Sequence, residues 1–112
     1  KIAGSKKKEE KKLIEEAKMI ERAGAFSIVL ECVTKKVAAR ITSSIKIPTI
    51  GIGSSNSCDG QILVTDDLLG ISGFYPRFVK KYANLENVIE KAIRRFKKDV
   101  KNKKFPSNYN VY

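Results

Sequence analysis

Apolar side chains recur at Leu13, Ile14, Ala17, Ile20 and Ala23, with Glu15, Glu16, Lys18 and Glu21 between them. That spacing predicts an amphipathic helix over residues 9–23 with one stripe turned toward a core. Gly24 is placed to end it. The period then changes. Residues 26–32 read Phe-Ser-Ile-Val-Leu-Glu-Cys, a short apolar and β-branched run. Such near-continuous apolarity predicts a strand buried on both faces, as in a parallel sheet. A second helix is expected over residues 34–45, with Val37, Ala38, Ile41 and Ile45 on one face and Thr34 as its candidate N-cap. Residues 47–52, Ile-Pro-Thr-Ile-Gly-Ile, predict a second buried strand, with Pro48 near its start where a strand tolerates proline. After the Asp59-Gly60 turn signal, residues 61–64 read as a third short strand. A short helix behind Pro76 is expected within residues 74–82. A long helix is expected over residues 84–100, with the stripe Leu85, Val88, Ile89, Ala92, Ile93 and Phe96. Residues 105–110 have no regular pattern.

Strands alternating with helices imply βαβ units and a parallel sheet, so the fold class is α/β. Three parallel strands would leave open sheet edges, which native proteins avoid, and a whole (β/α)8 barrel needs roughly 250 residues. The 112 residues suit one domain and not two. Periodicity alone leaves two options open: a small open α/β domain, or part of a larger barrel. The first residue is Lys1, as a processed or cut chain would show, although a mature N-terminus would look the same.

Composition narrows the function classes. No run reaches the roughly 18 apolar residues of a membrane span, and the opening residues lack the apolar centre of a secretory signal. There is no histidine, and the two cysteines, Cys32 and Cys58, are far apart. A zinc site built from this chain alone is therefore disfavoured, and two unclustered thiols fit a reduced, cytoplasmic protein. The net charge of +11 raises nucleic-acid binding. However, the lysines of the first helix interleave with Glu9, Glu10, Glu15 and Glu16, as on a solvated helix face. No arginine-rich block or aromatic stacking platform accompanies them, so the charge reads as surface.

Glu31 stands out. It closes an otherwise apolar strand, where burying a carboxylate is costly without a partner, and strand carboxyl ends are where parallel α/β proteins place ligands and catalytic groups. A strand-end glutamate that simply reaches water or meets a lysine is the plainer reading. The Gly-Ile-Gly-Ser-Ser segment, residues 51–55, offers free N–H groups to an anion but lacks the third glycine of a dinucleotide fingerprint. Asp59, Asp66 and Asp67 suggest a cation site, although such clusters more often serve turns and caps.

Taken in order, several segments resemble the ketopantoate hydroxymethyltransferases. They are Ala23-Gly24-Ala25-Phe26, Ile28-Val29-Leu30-Glu31-Cys32-Val33, Ile47-Pro48-Thr49-Ile50-Gly51-Ile52-Gly53 and Cys58-Asp59-Gly60-Gln61-Ile62-Leu63-Val64. Lys80-Lys81-Tyr82-Ala83-Asn84 and Phe105-Pro106 extend the series. The resemblance implies that residues 1–112 are the C-terminal portion of a (β/α)8 TIM barrel, its last three strands and their helices. It implies transfer of a hydroxymethyl group from 5,10-methylenetetrahydrofolate to 3-methyl-2-oxobutanoate, giving 2-dehydropantoate for pantothenate and coenzyme A synthesis. Glu31 maps onto the family's proton acceptor. Mg2+ is implied as well, with its ligands and most keto-acid contacts on early strands that this sequence lacks. No metal ligand is thus assigned within the chain, and the chain alone is expected to be inactive. A cytoplasmic homo-oligomer, commonly a decamer, is also implied.

There are departures. The family commonly has Ala-Gly where this chain has Ser54-Ser55, proline at Thr34, and His-Asp at Asp66-Asp67. The competing reading from the residues is a small basic α/β module that binds nucleic acid or a phosphate ligand.

Overall fold

The computed structural model describes residues 1–112. The elements are α1 (Lys7–Arg22), β1 (Ile28–Glu31), α2 (Lys35–Ser44), β2 (Thr49–Ile52), β3 (Gly60–Gln61), α3 (Thr65–Leu69) and α4 (Leu85–Lys101), followed by a 3-10 turn at Asn108–Asn110. They form two compact units, one of Lys1–Val64 with Pro76–Val79 and the other of Thr65–Tyr75 with Lys80–Tyr112.

In the first unit α1 ends as its glycine predicts. Gly24 has φ +98; its N–H donates to the Glu21 carbonyl at 3.0 Å, and the Ala25 N–H to that of Ile20 at 3.3 Å. These are the two bonds of a Schellman cap, which turns the chain toward β1. β1, β2 and β3 lie side by side in that order, all parallel. The β1–β2 register runs from Ile28 opposite Thr49 to Glu31 opposite Ile52. Pro48, just ahead of β2, costs no ladder bond, because its carbonyl accepts the Ile28 N–H at 3.0 Å.

The core lies between the helices and one face of this sheet: Ala17 of α1, Leu30 of β1, and Val37, Ala38, Ile41 and Ile45 of α2 and its end. Each fully buried Val or Ile in such a set contributes about 1.5–3 kcal/mol. Glu10 of α1 is also buried and takes an ion pair from Arg40 and another from Lys36 at 3.7 Å. A buried carboxylate needs such partners, and these come from α2. The outward lysines of α1 pair instead with glutamates along the helix, Lys12 with Glu16 and Lys18 with Glu15. That is the solvated face the charge pattern predicts.

Three expectations change here. The strand at β1 is buried on one face only: Leu30 is 5% exposed, while Val29 on the other face is 54% exposed and Glu31 is exposed as well. α1 and α2 cover one side, and no element of the first unit covers the other. Thr34 sits at the N-cap position of α2 but makes no side-chain cap; its hydroxyl donates to the Gly4 carbonyl instead. β3 is also shorter and earlier than residues 61–64, and the ladder gains only the Ile62 N–H, which donates to the Gly51 carbonyl at 3.0 Å.

The expected helix within residues 74–82, a stretch shared between the two units, is absent. The Tyr82 N–H, which a helix would direct four residues back, donates to the Leu68 carbonyl at 2.8 Å. Asp66 and Asp67 lie in the first turn of α3, where carboxylates favour the helix N-terminus. Gly70 follows with φ +74, so close to the backbone of Ala83 that a β-carbon would come within 2.4 Å of its carbonyl oxygen. α4 forms close to where it is expected, but its apolar stripe stays on the surface, with Val88, Ile89, Ile93 and Phe96 half or more exposed. Periodicity identifies the apolar face of a helix without identifying a cover for it. Phe105 meets it, edge-on to Phe96 at 5.4 Å.

At the lower end of the sheet Glu21 accepts the N–H groups of Lys46 at 2.5 Å and Ile47 at 3.0 Å. These two backbone bonds, aided by the charge of Lys46, hold its carboxyl below the ordinary glutamate range. A depressed carboxyl stabilises the fold at pH values above its unfolded value and loses that effect as pH falls through the folded one. Glu21→Gln should therefore be less stable than the parent at neutral pH. In thermal unfolding followed against pH, the gap should close as pH drops below about 4.3.

Candidate functional site

The upper end of the sheet, where β1 and β2 finish together, gathers the chemistry. Glu31 is the last residue of β1, directly across from Ile52. It is exposed, and it takes part in none of the ion pairs. It therefore reaches water, as one arm of the plainer reading has it, and does not meet a lysine. Its side chain lines a groove of about 260 Å3 along the unpaired edge of β1, with Ala3, Ala17, Val29 and Leu30 among the walls.

The strand does not simply run on past Glu31. Cys32 has φ +51, a left-handed conformation that costs a residue with a β-carbon roughly 1–2 kcal/mol. The turn is held from three directions. The Cys32 N–H donates to the Ile52 carbonyl at 3.0 Å, the Cys32 carbonyl accepts the Ala3 N–H at 2.8 Å, and the Thr34 N–H donates to the Ala3 carbonyl at 3.0 Å. Ser54, just beyond β2, supplies the third hold through its hydroxyl, which donates to the Leu30 carbonyl at 2.7 Å and accepts the Val33 N–H at 3.2 Å.

A cleft of about 850 Å3 opens beside this turn. Cys32, Thr34 and Lys35 line it from the start of α2, Ser54 and Asn56 from the loop after β2, and Arg77 and Phe78 from the segment Pro76–Val79. Gly53 is required there: its φ is +63, and a β-carbon would meet the Phe78 ring at 2.9 Å. Of the Gly-Ile-Gly-Ser-Ser segment, Ser55 is turned inward. It is buried, its hydroxyl accepts the Ser57 N–H at 3.0 Å, and its carbonyl accepts the Gln61 side-chain amide at 2.6 Å. Arg77 and Phe78 were not legible as cleft residues in the sequence, since no local pattern links them to the end of β2.

The aspartates do not converge. Asp59 accepts the Thr49 N–H at 2.8 Å and the Thr49 hydroxyl at 3.2 Å. Thr49 in turn meets Thr42 at 2.8 Å, so Asp59 ties the start of β2 to α2. Asp66 and Asp67 belong to the first turn of α3. No group of three or more Cys, Asp or Glu side chains comes together in the chain. Asp59 serves Thr49, and Asp66 and Asp67 serve the first turn of α3, as the turn-and-cap reading has it.

A parallel α/β unit with a free carboxylate and a glycine-bearing turn at its strand carboxyl ends has the layout of the α/β enzymes that act at that face. Sequence comparison makes the assignment specific. The chain belongs to the ketopantoate hydroxymethyltransferase family, whose model matches residues 1–108. It is 50% identical to the 3-methyl-2-oxobutanoate hydroxymethyltransferase of Pelagibacter ubique over 112 residues, all of this chain and 44% of that protein. The enzyme of that name from Clostridium botulinum is 55% identical over 109 residues, and that from Chlorobaculum tepidum 48% over 113. The chain spans about two fifths of the length of these relatives. No helix is long and apolar enough to cross a membrane.

Thr49 is fully buried, and its hydroxyl serves both Asp59 and Thr42. Thr49→Val keeps the shape but strips Asp59 of a donor, so it should cost about 1–3 kcal/mol, read as a shift in the urea unfolding midpoint without a change in slope.

Proposed function

We propose that the protein containing this chain transfers a hydroxymethyl group from 5,10-methylenetetrahydrofolate to 3-methyl-2-oxobutanoate, forming 2-dehydropantoate, with Glu31 as the base. The observation that carries this reading is the family match along residues 1–108, which includes Glu31 at the carboxyl end of a parallel strand. In the reaction the C3–H bond of the keto acid breaks and its proton passes to the Glu31 carboxylate. The electron pair left behind forms the enolate, whose C3 bonds to the one-carbon unit of the folate. Water supplies the hydroxyl oxygen: both C–N bonds of the folate's methylene break, the two nitrogens take up water's protons as tetrahydrofolate leaves, and the proton held by Glu31 passes to the alkoxide of the product. General-base catalysis of this kind contributes typically 10²–10⁴-fold.

The same reading makes residues 1–112 the C-terminal portion of one (β/α)8 barrel. Two features support it: the uncovered face of β1, with Val29 half exposed, and the groove along its free edge. Barrel closure buries both kinds of surface. The ligands of Mg2+ and most contacts to the keto acid then come from the preceding strands. The enzyme works in the cytoplasm as a homo-oligomer, a decamer in the family's common form.

Two measurements test this. In the complete enzyme, Glu31→Gln should lower kcat by at least about 10²-fold while leaving the fold unchanged by circular dichroism. Activity near the parent's would remove Glu31 from the role of base. The 112-residue chain by itself, given keto acid, methylenetetrahydrofolate and Mg2+, should show no turnover, and turnover without the preceding strands would refute their assigned part.

A further inference from the structure

We infer that Ser54 is a positioning residue for Glu31, acting through the turn that follows it; this rests on the proposed role of Glu31 as base. The Ser54 hydroxyl is bonded to Leu30 and Val33, the residues on either side of Glu31 and Cys32. One oxygen thus spans the whole turn. It donates to the carbonyl before Glu31 and accepts from the N–H after Cys32, using both capacities of a hydroxyl.

The remaining bonds of the turn are backbone to backbone, from Cys32 to Ile52 and to Ala3. They fix the peptide groups of Cys32, and the β1–β2 ladder already engages the Leu30 carbonyl, but the Val33 N–H is left to Ser54, whose hydroxyl also gives that carbonyl a second donor. The turn also needs holding, because Cys32 is in the left-handed region without being glycine and tends to relax toward extended backbone. Relaxation there rotates the peptide that joins Glu31 to Cys32, and the Glu31 carboxylate swings with it. Ser54 touches neither substrate in this scheme. It holds the base at the angle and distance from which a C–H proton can be taken.

A misplaced base slows proton removal without weakening the binding of the keto acid, and displacements of about 1 Å can cost up to about 10²-fold in rate. In the complete enzyme, Ser54→Ala should lower kcat about 5-fold, with the KM for the keto acid within about twofold of the parent. The primary isotope effect on kcat with keto acid deuterated at C3 should rise, since proton removal becomes more rate-limiting. Ser54→Thr, which keeps the hydroxyl, should restore kcat and the isotope effect. The double variant Glu31→Gln/Ser54→Ala should be no slower than Glu31→Gln, because Ser54 acts only through the carboxylate.

If Ser54→Ala fails to fold, Ser54→Cys replaces it, a near-isosteric change whose thiol is a poorer donor and acceptor; it should show the same fall in kcat at constant KM. Parental kcat and isotope effect in the variant that folds would overturn the inference while leaving Glu31 in place. A rise in KM alone would overturn it too. If Glu31→Gln is itself fully active, the reading of Glu31 fails first, and Ser54 loses its proposed part with it.

Discussion

The parallel pairing of β1 with β2 is the constraint on which the rest of the first unit depends. Parallel strands cannot be joined by a tight turn, so the chain between them must cross over the sheet, and it does so as α2. Once α2 lies across β1 and β2, its face of Val37, Ala38 and Ile41 must be buried, and Leu30 and Ala17 complete the pocket that receives it. The register then decides what meets at each end. With Ile28 opposite Thr49 and Glu31 opposite Ile52, the strands finish level. The two turns that leave them, at Cys32 and at Gly53, are brought within bonding distance of each other. A register slip of one residue would move Glu31 to the helix-covered face and separate Ser54 from Leu30.

The two ends of the sheet are held by different chemistry. At the amino ends the polar side chains are committed to the fold: Asp59 to Thr49, Thr49 to Thr42, and Glu21 to the backbone of Lys46 and Ile47. At the carboxyl ends Glu31 has no ion partner, and Lys35, Asn56 and Arg77 line a cleft. A barrel-type sheet separates stability from function in the same way, with catalytic groups at the carboxyl face and structural ones below. Asp59 illustrates the difference, since its carboxylate sits within a polar turn yet is spent on Thr49.

Much of the first unit was legible because its signals are local. Helical spacing marked α1 and α2, a β-branched run marked β1, and Pro48 marked the start of β2. Glu31 was legible by exception, as a carboxylate that ends an apolar strand. The misreadings came where a distant partner decides the outcome. Pro76 suggested a helix, but Phe78 packs against Gly53 and Tyr82 bonds to Leu68, so the segment cannot coil. The stripe of α4 was read as apolar, but nothing local tells whether such a stripe is covered, and here it is exposed. Thr34 looked like a cap, but its hydroxyl is drawn to Gly4.

Ser54 shows why a departure from a family's pattern is informative only with coordinates. In sequence it was one polar residue where the family commonly has alanine, and it argued mainly against transferring loop contacts. In the structure its hydroxyl is the one side-chain group bonded across the Glu31–Cys32 turn. An alanine there would leave the Leu30 carbonyl with its ladder bond alone and the Val33 N–H without its partner. Val33 is itself 7% exposed, so water reaches that N–H poorly, and an unmet buried donor is costly. The substitution therefore ties the backbone around the proposed base more tightly in this chain than alanine could, at the turn where the strain of Cys32 would otherwise be released.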